Sequence, residues 1–187
     1  MFGLGRNKVS EEKISKAVDD FKRGSAEAFH LLYNAYNKKI YRFCLRMLGD
    51  EALAEDAFQE TFIKIYEKND QFRGDNFQAW LFTIARNTCL NTIRSQKDFD
   101  SFDETFHKPE KSKFGDVGMK DYISRAIAKL PVDLREALVL REYSEHSYKE
   151  IADILDIELS LAKVRVHRAR QMLKKLLKPL VKELNEY

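Results

Sequence analysis

The chain has 187 residues, 44% of them hydrophobic and 34% charged, with a formal net charge of +3. That length fits one large domain or two small ones, and so small a net charge makes no case for nucleic acid by itself; the placement of the basic residues matters more. Only seven Gly and three Pro punctuate it, which leaves room for long helices. Cys44 and Cys89 are the only cysteines; in apolar helical context they read as buried thiols rather than a disulfide. Together with the four His they show no metal-ligand spacing, so neither metal nor cofactor is expected. No apolar run approaches the roughly 20 residues that cross a bilayer, and the opening MFGLGRNKVS has no signal-peptide core. A cytoplasmic protein without membrane insertion is expected. No P-loop, glycine-rich phosphate cradle or nucleophile motif supports an enzyme.

In chain order, Ser10 can open a first helix that buries Ile14, Ala17, Val18 and Phe21. Gly24-Ser25 stops it and caps the next. Ala28, Phe29, Leu32, Tyr36, Ile40, Phe43 and Met47 recur at helical spacing as far as Leu48, and Gly49-Asp50 ends that long, aromatic helix. A third helix runs from Glu51 to about Lys68. Ala54, Ala57, Phe58, Thr61 and Ile65 face helix two, while Asp56, Gln59, Glu60, Ile63 and Glu67 face away. That second face is either a solvated surface or a protein contact, since an apolar centre with a polar rim is how such contacts are built.

A polar loop, Asn69 to Phe77, follows, and Asp75 with Gln78 is expected to cap a fourth helix, about Phe77 to Gln96. Phe77, Leu81, Ile84, Ala85, Thr88 and Thr92 make its buried side. Trp80, Thr83, Asn87, Leu90, Asn91 and Arg94 share another. An aromatic ring, amides and Arg together suit unpaired bases, which stack and expose hydrogen-bonding edges. A core Trp80 beside merely solvated Asn residues fits the spacing equally well. Residues 97–118 show no sustained period and read as a linker. Beyond it, Ile123, Ala126, Ile127 and Leu130 mark a fifth helix; Pro131 opens a sixth with Leu134, Ala137, Leu138 and Leu140.

The most informative stretch is Ser147 to Leu176. Ser147 and Glu150 form a capping box; Ile151, Ala152, Ile154 and Leu155 give one helix its apolar face. Asp156 occupies the turn, one of the few side chains that tolerate positive φ. A second helix starts near Leu159, with Ser160 as its expected N-cap. Ala162, Val166, Ala169 and Leu173 fall on one stripe, and Lys163, Val164, His167, Arg168 and Gln171 on the opposite side. Seven basic and no acidic residues lie between Lys163 and Lys178. A solvated basic helix is the bland alternative. The caps and turn favour a DNA-binding helix-turn-helix, whose second helix enters the major groove. A charged tail interrupted by Pro179 closes the chain.

Three blocks, AEDAFQETFIKIYE, FQAWLFTIARN and LPVDLREALVLREYSEHSYKEIADIL…KVRVHRAR, occur in this order. In them the chain resembles the extracytoplasmic-function (ECF) RNA polymerase sigma factors of bacteria, group IV of the sigma-70 family, over roughly Ala26 to Leu177. The resemblance implies an all-α fold of two small helical domains: a region 2-like unit at 10–96, a linker at 97–118, a region 4-like unit at 119–178 and a tail at 179–187. It implies a transcription initiation factor with core RNA polymerase (β′ clamp helices and β flap), promoter DNA and an anti-sigma factor as partners, in the cytoplasm, with sequestration at the inner membrane where the anti-sigma factor is membrane-bound. By the same resemblance Asp56, Gln59, Glu60 and Ile63 contact polymerase. Phe72, Arg73, Trp80, Asn87, Asn91 and Arg94 serve single-stranded DNA of the −10 element. Lys163, Val164, His167 and Arg168 read the −35 element, with phosphate contacts from Arg165 and Arg170. Three positions depart from the family: Ser160-Leu161-Ala162 where Gly-Thr-Val or Gly-Ser-Val is common, Val164 for a common Ser, and Asp156 for a usual Gly. Val164 is suited to a thymine methyl group. The alternative is an ordinary helix-turn-helix regulator that binds duplex DNA without polymerase.

Overall fold

The computed structural model describes residues 11–74, 76–100 and 118–185. Its described residues form α1 (Glu11–Lys22), α2 (Ala26–Leu48), α3 (Glu51–Glu67), a 3-10 turn (Asn69–Gln71), α4 (Phe77–Asp100), α5 (Met119–Ala128), α6 (Val132–Glu142), α7 (Tyr148–Leu155) and α8 (Leu159–Asn185). The expected helical order is present. Ser10 and the stretch 101–117, most of the expected linker, lie outside the described residues.

Helix α2 is the spine. Ser25 caps its start by accepting from the Ala28 N–H at 3.2 Å, and Gly49 ends it at φ 73°. Two things demand glycine there: the left-handed backbone, and the approach of a later helix, since a Cβ at Gly49 would lie 3.2 Å from that of Ala128. Ile40, Phe43, Cys44 and Met47 are fully buried, each large apolar side chain contributing roughly 1.5–3 kcal/mol. Asp50 then caps α3 through the Leu53 N–H at 2.9 Å. Phe62, rather than Phe58, is the fully packed ring of α3; Phe58 is half-buried. Phe62 sits 4.8 Å from Tyr33 and 5.2 Å from Phe58, both edge-on, the geometry that ring quadrupoles favour.

Four helix ends differ from expectation. Asp75 lies outside the described residues, and the residue that caps α4 is Asn76, whose Oδ1 accepts from the Ala79 N–H at 2.9 Å. Helix α4 runs past Gln96 to Asp100, and α8 runs through Pro179 to Asn185. Helix α8 begins at Leu159 with the Ala162 N–H on the Glu158 carbonyl, so Ser160 sits inside its first turn and not at the cap.

Helices α1–α4 and α5–α8 form two packed units, and these units also pack on each other, α2 against α5 and α6, α4 against α7. One apolar cluster is continuous across that boundary; a smaller one, around Leu130, Leu138 and Ala169, lies under α8. Cys44 and Cys89 are buried free thiols. Among the described residues no helix is long and apolar enough to cross a membrane.

Candidate polymerase and promoter interfaces

On α3, the residues turned from α2 are displayed as the spacing implied. Asp56, Gln59 and Glu60 are exposed, Ile63 is 57% exposed, and Tyr66, three residues further on, is 54% exposed. Glu60 pairs with Lys64 within the helix at 2.5 Å. Tyr66 was not singled out in the sequence because an aromatic late in an amphipathic helix reads as core.

The loop and α4 divide their candidate residues. Arg73, Asn87, Asn91 and Arg94 are exposed and Trp80 is half-buried. Phe72 is different: it is 4% exposed, with its ring 5.6 Å from Phe77 and 5.3 Å from Trp80, and the Lys22 ammonium 4.7 Å above it. Phe72 therefore seats the loop on α1 and α4, with its ring covered. Trp80 is tilted against this cluster, its ring 5.3 Å from Phe72 and 5.7 Å from Phe77.

In the helix-turn-helix the capping box is reciprocal. The Ser147 N–H donates to Glu150 Oε2 at 2.8 Å and the Glu150 N–H to Ser147 Oγ at 3.2 Å. Partial burial opposes ionisation of Glu150, but these Ser147 bonds, together with His146 and Asn76, hold the carboxyl below its usual range. Asp156 has φ 53°, which turns the chain so that α8 crosses α7. Ala162, Val166 and Ala169 are fully buried; Lys163, Val164, His167 and Arg168 point to solvent. The two expected phosphate-contacting arginines sit apart from that exposed set. Arg170 donates to Glu142 at 2.9 and 2.5 Å, and half-buried Arg165 pairs with Glu136 at 3.2 Å and approaches Asp133 at 3.9 Å. Arg165 thus faces α6 in this arrangement.

The sequence reading missed a third stripe of α4, facing the second unit. Phe82 is fully buried, edge-on to Phe43 of α2 and, 4.5 Å away, to His146 just before α7. Arg86, one turn on, donates to Glu136 through Nε at 2.7 Å and Nη2 at 3.2 Å. Arg135 bonds the Met47 carbonyl at the end of α2 at 2.6 Å and, within its own unit, the carbonyls of Ala128 and Leu130. The 82–86–89 spacing was the available signal, but a wheel cannot tell packing within one unit from packing against another.

The comparisons with known proteins agree with this layout. The sigma-70 region 2 pattern matches residues 32–99 and the sigma-70 region 4 pattern residues 120–173. The chain is 35% identical to the RNA polymerase sigma-H factor of Pseudomonas aeruginosa, over 94% of this chain and 99% of that protein. It is 33% identical to the ECF RNA polymerase sigma factor SigW of Bacillus subtilis, over 91% of this chain and all of the relative. The chain belongs to the ECF sigma factors of the sigma-70 family. As a sigma factor it acts in transcription initiation, and its two units carry the two matched regions. Among solved structures, the sigma factor RpoE of Bartonella quintana, crystallised with the anti-sigma factor NepR, is similar with a TM-score of 0.69 and 28% identity, over 82% of this chain and 98% of that one.

Proposed function

We propose that this sigma factor divides initiation between its units. Residues 10–96 hold core RNA polymerase and open the −10 element, residues 97–118 link, and residues 119–178 read the −35 element. Asp56, Gln59 and Glu60 surround Ile63 as a rim around an apolar anchor for the polymerase clamp; the β flap takes the second unit. Arg73, Trp80, Asn87, Asn91 and Arg94 receive unpaired bases, exchanging duplex stacking for contacts in the protein at a few kcal/mol per extruded base. Phe72 supports the loop from beneath. Lys163, Val164, His167 and Arg168 enter the major groove, with Arg168 suited to a guanine edge and Val164 to a thymine methyl. The chain supplies recognition and melting without a catalytic step of its own. It works in the cytoplasm and is silenced by an anti-sigma factor, which, where membrane-bound, also holds it at the inner membrane.

The observation that carries this reading over a polymerase-independent regulator is the exposed Ile63 amid carboxylates on α3. An ordinary helix-turn-helix regulator has no use for that face. The test is co-purification of the double variant Asp56→Lys, Glu60→Lys with bacterial core RNA polymerase. Association is expected to be lost while the circular dichroism spectrum is unchanged; retained association would overturn the assignment of α3.

A further inference from the structure

Helix α8 carries exposed apolar side chains on a surface that is otherwise basic. Of the seven large apolar residues exposed among the described residues, Leu159, Leu161, Val164 and Met172 lie on it. A single exposed apolar residue needs no explanation. Leu161 and Val164, each 41% exposed, are a pair: three residues apart on a helix, they are neighbours with Cβ atoms roughly 5–6 Å apart. The fully buried residues of this part of the helix are Ala162, Val166 and Ala169, on another side. Around the pair Lys163, His167 and Arg168 are exposed, and no acidic residue lies between Lys163 and Lys178. Leu161 is the third residue of α8, within the N-terminal part of the helix, which in a helix-turn-helix reaches the base edges.

We propose that Leu161 is a specificity-determining residue, which with Val164 forms an apolar pair that selects two thymines, no more than two base steps apart, through their 5-methyl groups. The proposal rests on the assignment of α8 to the −35 element and deepens it from one thymine contact to a two-base requirement. Its chemical basis is exclusion. In the major groove adenine, guanine and cytosine present hydrogen-bond donors and acceptors, and only thymine adds a methyl group. An apolar side chain pressed on any other edge strips water from a polar atom without replacing the hydrogen bond, which is costly. On a thymine methyl it removes two apolar surfaces from water instead. The spacing fits. Base pairs rise about 3.4 Å each, so side chains roughly 5–6 Å apart meet methyl groups one or two steps apart. The basic frame favours the phosphates on either side of those bases. Leu161 stands where Thr or Ser is common in the family. A hydroxyl at that place can bond to a base or to a phosphate; Leu can do neither, so it narrows what the helix accepts.

The test uses the full chain bound to bacterial core RNA polymerase and a promoter library randomised through the −35 element. The best-bound duplex is then remade with single thymines replaced by deoxyuridine, which removes the methyl group and nothing else. The wild-type chain should select two thymines no more than two steps apart. Each uracil should weaken binding about fourfold, the effect of one methyl-sized group left in water. Leu161→Ser should make binding indifferent to one of the two methyl groups and keep the response to the other; Val164→Ser should do the converse. Both side chains are exposed, so the fold should persist, and thermal melting checks this. A selected −35 sequence in which uracil binds as well as thymine would overturn the proposal while leaving α8 as the −35 reader. So would an undiminished response to both methyl groups in Leu161→Ser. Absence of any selection at the −35 positions, with Arg168→Ala also without effect, would overturn the assignment of α8 and the proposal with it.

Discussion

The two proposed DNA-reading helices, α4 and α8, are built on opposite plans. Helix α8 is gripped on one side, where Ala162, Val166 and Ala169 are fully buried, and most of its remaining surface is exposed. Helix α4 is gripped on two: Leu81, Ala85 and Thr88 face its own unit, while Phe82 and Arg86 reach the other. Its free face is a narrow strip containing Asn87, Asn91 and Arg94. A helix held on one side can be changed on its outer face with little effect on the fold. A helix held on two sides links DNA recognition to the arrangement of the whole molecule.

That contrast can be broken most severely at Phe82. Phe82→Ala should cost about 3–5 kcal/mol of unfolding free energy, the usual loss for a large aromatic in a closed core, read from urea denaturation. It should also loosen the α4–α7 contact. Acid is the next largest perturbation. His146 is 1% exposed with no hydrogen-bond partner on either ring nitrogen. Burial lowers its pKa from 6.5 to about 4, opposed by Glu150 and reinforced by Lys39. The folded state therefore holds this ring neutral. The stability it confers is complete above pH 6.5 and is lost as pH falls from 6.5 toward 4, where the unfolded chain binds the extra proton. Between pH 7 and pH 4.5 the loss should be about 2–3 kcal/mol. Glu150 also weakens in acid as its capping box is protonated, so the comparison is with His146→Leu, in which the part of the slope due to the ring should vanish. An equal slope in both would assign the acid sensitivity elsewhere.

On the one-sided helix the expected effect moves from stability to binding. Arg168→Ala should leave the melting temperature unchanged and cost roughly 1–3 kcal/mol at a cognate −35 duplex, if its partner is a base edge. An equal loss on random DNA would identify a phosphate contact. The smallest expected effect is at the turn before α8. Asp156→Gly relieves a left-handed backbone of its side chain but frees the unfolded chain, and the two nearly offset. A shift of less than about 1 kcal/mol is expected in thermal melting; a larger gain would mean that Asp156 is held under strain.

The same contrast explains what could be read from the sequence. The capping box at Ser147 and Glu150, the positive φ at Asp156 and the exposed stripe from Lys163 to Arg168 were legible because they follow from spacing within one or two helices. The acidic face of α3 was legible for the same reason. Phe72 was assigned by resemblance to the −10 set; its burial was not legible, because the sequence shows a ring in a polar loop but not the pocket formed by Lys22, Phe77 and Trp80. Arg165 and Arg170 looked like free cations on a basic helix, yet α6 brings Glu136 and Glu142 to them from residues 28 or 29 positions away. The Phe82, Arg86 and His146 contacts depend on how two units dock, which no helical period encodes. The cap of α4 falls at Asn76, whose Oδ1 meets the Ala79 N–H, a choice among adjacent Asx residues that spacing alone does not make.

The most direct test of the central claim is run-off transcription from a pool of bacterial promoters by core RNA polymerase with and without this chain. Core polymerase is expected to initiate at new, discrete start sites only when the chain is present, with a shared −35 and −10 pattern upstream. Duplex DNA binding by the chain alone, with no change in the transcripts made by core polymerase, would contradict it.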